Sequence, residues 1–123
     1  MERKKLYDAC QPTSPSREVL GIIANKWTIL VLHIINCEKV RYSQIQRKIP
    51  GISQKVLTGV LRQLEENGII TRTIYPVVPP RVEYETTDLG KTLLESLQAL
   101  QNWSEMHVPQ ILAARKAYNK YLT

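Results

Sequence analysis

A chain of 123 residues, 43% hydrophobic and 23% charged, has enough apolar side chains for one core and enough charge to cover it, so neither a disordered chain nor a fibrous repeat is expected. Two cysteines are too few for a disulfide scaffold or a four-cysteine zinc site, and the most apolar run, Trp27 to Cys37, is too short to cross a bilayer. The formal charge of +6 is concentrated early: through Arg62 eleven Lys and Arg face four Asp and Glu, whereas from Gln63 onward the counts are six and seven. No carboxylate stands between Lys39 and Gln63, and such a stretch repels itself unless it meets an anionic partner, most commonly nucleic acid. The charged opening Met1-Glu2-Arg3-Lys4-Lys5 has no apolar stretch behind it, so a secretory signal is not expected and the chain reads as cytoplasmic.

Residues 1–13 read as a polar arm. Ser14-Pro15 predicts a helix start, Ser as the cap and Pro at the first helical position, with Val19, Leu20 and Ile23 on one side. Asn25-Lys26 breaks the pattern, and Trp27, Leu30, Val31 and Ile34 predict the buried face of a second helix ending near Asn36. Ser43 and Gln46 have the spacing of a capping box, so a helix carrying Ile45 and Ile49 inward is expected to begin there and to stop at Pro50-Gly51. Ser53 then caps a further helix with Val56, Leu57, Val60, Leu61 and Leu64 inward, ended by Asn67-Gly68. Helix, short Gly turn, helix over residues 43–67 is a helix-turn-helix.

Beyond Gly68 the period falls from 3.6 to 2, and residues 69–86 predict two strands joined by the proline-rich loop Pro76-Val77-Val78-Pro79-Pro80, a wing. Thr87 or Asp88 is expected to cap a long helix with Leu89, Leu93, Leu97 and Leu100 on one side and Trp103 following, and Pro109 to kink it or open a last segment, giving C-terminal helices over residues 87–121. The fold class is mainly α with a small β-hairpin wing, one winged helix-turn-helix domain over residues 1–123.

In such a fold the second helix of the motif lies in the major groove of DNA. Lys55, Thr58 and Arg62, at i, i+3 and i+7, share the face opposite the leucines. Gln54 suits adenine, Lys55 and Arg62 suit guanine or phosphate, and the N–H groups at Ser53 and Gln54 suit a phosphate. Ser43 sits at the start of the preceding helix, and Arg72 and Arg81 on the wing are candidates for the adjacent minor groove or backbone.

Trp27-Thr28-Ile29-Leu30, Pro50-Gly51-Ile52-Ser53-Gln54-Lys55-Val56-Leu57, the Leu61 to Gly68 run, the wing from Tyr75 to Tyr84 and Thr87-Asp88-Leu89-Gly90 together resemble the HxlR-type winged-helix transcriptional regulators, relatives of the MarR group. The resemblance spans residues 10–111. It implies a homodimer, joined through the N-terminal and long C-terminal helices, that binds a pseudo-palindromic DNA operator and usually represses. An apolar stripe from Leu93 to Trp103, longer than one small domain needs to cover, fits such a dimer. Its two recognition helices would meet half-sites about 34–36 Å apart.

Several members of that family sense oxidants, quinones or aldehydes through a cysteine in the N-terminal arm. Cys10 holds that place, with Gln11 standing before Pro12 where the family usually has Pro directly. Arg3, Lys4, Lys5 and the helix start favour a thiolate there, and Asp8 opposes it. Cys37, at the end of an apolar helix, reads as a small buried hydrophobe or as a disulfide partner for Cys10. His33 and Cys37 stand at i, i+4, but two ligands do not close a metal site. With neither a catalytic constellation nor a phosphate loop, an enzyme is not expected and no cofactor is predicted. The alternatives are a winged-helix protein-interaction module and a regulator answering a small non-covalent ligand.

Overall fold

The computed structural model describes residues 8–36 and 38–122. Arg3, Lys4, Lys5 and Cys37, which entered the expectations for the arm and its thiol, lie outside the described residues. Among the described residues there are five helices and three strands: α1 (Pro15–Ile23), α2 (Lys26–Ile34), β1 (Val40–Arg41), α3 (Tyr42–Lys48), α4 (Gln54–Glu66), β2 (Ile70–Tyr75), β3 (Arg81–Thr86) and α5 (Asp88–Leu122). No helix among them is long and apolar enough to cross a membrane.

Local chemistry starts and stops these elements. Ser14 Oγ accepts from Ser16 N at 3.2 Å, and Asn25 Oδ1 accepts from Trp27 N at 2.8 Å, each satisfying an orphan amide of a first turn. Ser53 does the same for α4, accepting from Val56 N at 3.1 Å. At the far end of α4, Gly68 takes φ +73°, Gly68 N donates to Glu65 O at 3.1 Å and Ile69 N to Leu64 O at 2.9 Å. That pair of bonds is a Schellman closure, which the left-handed glycine makes inexpensive.

Alternation of apolar and polar positions decides what is buried. Leu57, Val60, Leu61 and Leu64 of α4 pack with Val31, Leu32 and Ile35 from the α2 segment, Ile45 and Ile49 from the α3 segment, and Ile70 and Tyr84 of the sheet. The side of α2 that enters is Thr28, Val31, Leu32 and Ile35, again at i, i+3, i+4 and i+7; Trp27, Leu30 and Ile34, expected to form that face, are only partly buried. A threonine disguised the true phase: Thr28 is buried because its hydroxyl donates to Ile22 O at 3.2 Å.

Three further expectations are corrected. Ser43 lies inside α3 rather than capping it; the helix begins at Tyr42, and Gln44 Oε1 accepts from Arg41 N at 2.9 Å. Val40-Arg41 adds a third strand to the wing, giving the order β1-β3-β2 with Val40 opposite Tyr84 and Arg41 opposite Glu83. Two residues carry too short an alternation to be read as a strand. The C-terminal part is one helix of 35 residues that continues through Pro109, not several. Its buried positions are Gly90, Leu94 and Leu97, while Leu89 and Leu100 of the expected stripe are exposed.

The start of α5 is fixed tightly to the sheet. Thr87 is the cap: its Oγ1 accepts from Gly90 N at 3.0 Å and lies 2.6 Å from Gly68 O and 3.0 Å from Ile69 O. Gly90 passes so close to the chain entering β2 and to the end of β3 that a Cβ there would collide with the Ile69 carbonyl oxygen and the Thr86 methyl. Thr86 in turn donates to Ile35 O at 3.0 Å, a buried bond from the sheet to the end of α2.

Candidate nucleic-acid interface

Burial of its leucine face leaves α4 with an outer face of Gln54, Lys55, Thr58 and Arg62, all exposed, with Ser53 exposed at the helix start. The helix N-terminus therefore ends in solvent beside two polar side chains and a lysine, with no carboxylate in its first turn.

Two clefts flank this face. One, about 200 Å³, is lined by Tyr42, Thr58, Leu61, Arg62, Glu65, Arg72 and Tyr84, so it brings three of the expected residues, Thr58, Arg62 and Arg72, to one place. Arg72 Nε lies 3.4 Å from Glu65 Oε2, an ion pair joining β2 to the last turns of α4. Tyr84, opposite Arg72 on β3, is buried. Burial pushes its phenol above the usual tyrosine range; Arg72 pulls the other way, and Glu65 and Tyr42 add to the rise.

The other cleft, about 530 Å³, lies between the start of α3 and the wing and is lined by Arg41, Tyr42, Ser43, the loop Val77-Val78-Pro79-Pro80, Arg81 and Val82. It gathers Ser43 and Arg81, which are distant in sequence. Arg81 is not a free cation here: its guanidinium stacks over the Tyr75 ring at 4.6 Å and its Nε lies 3.4 Å from Glu83 Oε1. The pair is an electrostatic contact, since Arg81 Nε has no hydrogen-bond partner among the described residues. The arginines of β2 and β3 are thus held against carboxylates, whereas no ion pair among the described residues holds Arg41, Lys55 or Arg62.

Tyr42, Arg41, Glu65 and Tyr84 were not among the residues expected at the site. Arg41 was readable from its place directly before Tyr42-Ser43. Glu65 follows from α4 itself, three residues past Arg62, whereas Tyr42 and Tyr84 owe their position to the pairing of β1 with β3, which no periodicity announces. The tyrosine hydroxyl of residue 42 lies 3.2 Å from Gln54 O and 3.1 Å from Thr58 Oγ1, tying α3 to the exposed face of α4.

Away from this face, Cys10 is an exposed free thiol. Its segment is held by Arg17, which donates through Nε to Ala9 O at 2.9 Å and through Nη2 to Cys10 O at 2.6 Å, while Cys10 N donates to Asp8 Oδ1 at 2.9 Å. An apolar groove of about 470 Å³, including Val19, Ile22, Ile23, Ile69, Leu89 and Leu93, runs between α1 and α5. Farther along α5, Trp103, Met106 and Tyr121 are 54%, 74% and 87% exposed.

Comparison with known proteins adds the context. The HxlR-like helix-turn-helix family profile matches residues 22–112. The chain is similar to YtfH of Escherichia coli K12, an HTH-type transcriptional regulator, at 44% identity over 101 residues, 82% of this chain and 80% of that protein. The solved structure of YtfH from Salmonella typhimurium superposes with a TM-score of 0.86 at 39% identity, covering 89% of this chain and 98% of that one. The redox regulator HypR in its reduced form gives a TM-score of 0.71 at 38% identity, covering 81% and 99%. With a winged helix-turn-helix fold, a profile match over most of its length and relatives that are regulators rather than enzymes, the chain belongs to the HxlR-like helix-turn-helix family of transcriptional regulators.

Proposed function

We infer that this regulator binds an operator sequence-specifically as a homodimer, with residues 1–123 acting as one DNA-binding unit, and that it represses the genes it binds. The observation that carries the reading is the division of α4 into a buried leucine face and an exposed face bearing Gln54, Lys55, Thr58 and Arg62. A helix of 13 residues with a solvent-facing N-terminus fits the major groove, where Lys55, Thr58 and Arg62 read bases and the amides at Ser53 and Gln54 hold a phosphate. Ser43 and Arg41 at the start of α3 face the flanking backbone, and Arg72 and Arg81 contribute from the wing. The apolar groove between α1 and α5, continued by exposed Trp103 and Met106, supports a two-fold partner on that side.

The test is binding of the full chain to a labelled duplex library with a randomised core, followed by titration of the enriched duplex against competitor DNA at several salt concentrations. Sequence preference retained over competitor, with affinity falling steeply as salt rises, is the expected result. A chain that binds no DNA at low salt would instead be a protein-interaction module.

A second reading concerns regulation. The exposed thiol of Cys10, at the place where relatives of this family carry a sensing cysteine, and the likeness to the redox regulator HypR support an oxidant or electrophile as effector. Modification of Cys10 next to α1 would change how the two winged units are set relative to each other and so alter operator affinity.

A further inference from the structure

Tyr42 stands on the first turn of α3, yet its hydroxyl belongs to α4 by its contacts: Gln54 O at 3.2 Å and Thr58 Oγ1 at 3.1 Å. The count of protons decides the direction of these bonds. A backbone carbonyl has none, so the single phenolic proton of Tyr42 goes to Gln54 O. The bond to Thr58 then takes its proton from the threonine, whose hydroxyl has one to give. Thr58 is left with lone pairs on Oγ1 and its methyl group, and with no donor for anything outside the protein.

We propose that Tyr42 is a positioning residue that sets the base preference of Thr58: by taking the Thr58 proton it makes an exposed threonine on the recognition face an acceptor with a methyl, selecting against guanine at the base beneath it. The proposal rests on the reading of α4 as the helix that enters the major groove. Guanine shows N7 and O6 there, both acceptors, which face an acceptor-only Oγ1 unfavourably. Cytosine N4 and adenine N6 can donate to it, and the thymine methyl packs against Cγ2. An ordinary exposed threonine has no such bias, because its hydroxyl turns to give or take as the base requires.

The experiment selects duplexes from a library with a randomised core using wild type, Tyr42→Phe, Thr58→Val and the double variant Tyr42→Phe/Thr58→Val, then titrates the enriched duplex with each of the four bases at every position. Wild type is expected to disfavour guanine at one position in each half-site. Tyr42→Phe returns the proton to Thr58, so guanine at that position gains roughly five- to tenfold relative to the preferred base, the worth of one hydrogen bond. Thr58→Val has no proton to return, keeps guanine disfavoured, and cancels the gain in the double variant. The proposal alone is overturned if wild type selects a site that Tyr42→Phe reads identically, if the guanine gain survives in the double variant, or if Tyr42→Phe weakens all duplexes alike. A wild type that enriches no sequence overturns both the proposal and the reading of α4 beneath it.

Discussion

Glu65 on α4 and Arg72 on β2 form an ion pair, Oε2 to Nε at 3.4 Å, at the edge of the cleft that also holds Arg62. The carboxylate therefore neutralises one of the cations closest to the proposed reading face. Both side chains are more than a third exposed, so solvent screens the pair and its loss is expected to change stability by less than about 1 kcal/mol. Glu65→Gln would leave Arg72 uncompensated. The expected outcome is an almost unchanged urea midpoint together with a salt dependence of DNA binding steeper by about one unit of slope, measured by fluorescence anisotropy.

Residues on α4 and on the wing are expected to fail differently. Lys55→Ala or Arg62→Ala would weaken operator binding by about 1–3 kcal/mol and relax the preference at one base position. Arg81→Ala would lower affinity for all duplexes and flatten the salt slope, by less than one unit because Glu83 already partners that charge. Gel-shift titrations of the three variants on operator and competitor DNA distinguish these outcomes; no change in any of them would remove the assignment of α4.

At Gly90 the expected effect is on folding alone. A methyl group there meets the Ile69 carbonyl and the Thr86 side chain, so either α5 or the sheet must shift. Gly90→Ala is expected to destabilise by about 1–3 kcal/mol, against the usual gain from Gly→Ala in a helix. Chemical denaturation followed by circular dichroism checks it, with Gly59→Ala as the control, since a Cβ at Gly59 meets nothing.

Tyr84 gives a pH dependence whose sign is fixed by burial. Its folded-state phenol ionises later than the unfolded one, so between the two values the unfolded chain has lost a proton that the folded chain retains. Stability from this group is intact below the ordinary tyrosine range, about pH 10, and declines as pH rises through the higher folded value. Tyr84→Phe is expected to lessen the alkaline loss of melting temperature relative to wild type. Equal alkaline slopes would mean that Tyr84 is not the group responsible.

For the arm, Cys10→Ser is expected to bind the operator as wild type does under reducing conditions and to lose the response to diamide or a quinone. Parallel titrations of the two proteins settle this, and an equal response in both ends the role proposed for the thiol.

Much of this architecture was legible in the chain. Ser14, Ser53 and Gly68 acted locally, through bonds to amides and carbonyls a few residues away, so their positions could be read without knowing the fold. The leucines of α4 defined its inner face, and hence its outer one. What escaped reading depended on pairing at long range. The strand Val40–Arg41 exists because Tyr84 and Glu83 lie opposite it, and Tyr42 reaches Thr58 only because α3 is laid across α4. Thr28 is polar by residue type but is buried with its hydroxyl bonded to Ile22 O. Leu89 and Leu97 share one stripe in the sequence, whereas in the fold, with Gly90 held against Ile69 and Thr86, Leu94 and Leu97 are buried and Leu89 is exposed.

The single rod of α5 has a mechanical consequence. Its root is clamped by Thr87 and Gly90 and its inner third by Leu94 and Leu97, and past Leu97 none of the described residues is fully buried. From there to Leu122 the helix extends roughly 37 Å at 1.5 Å per residue. A lever of that length multiplies what happens at its fulcrum: tilting it by about 5° swings its tip by roughly 3 Å. Small rearrangements near the root, too slight to disturb the leucine core, are thereby geared up into movements large enough to matter to anything fastened at the far end.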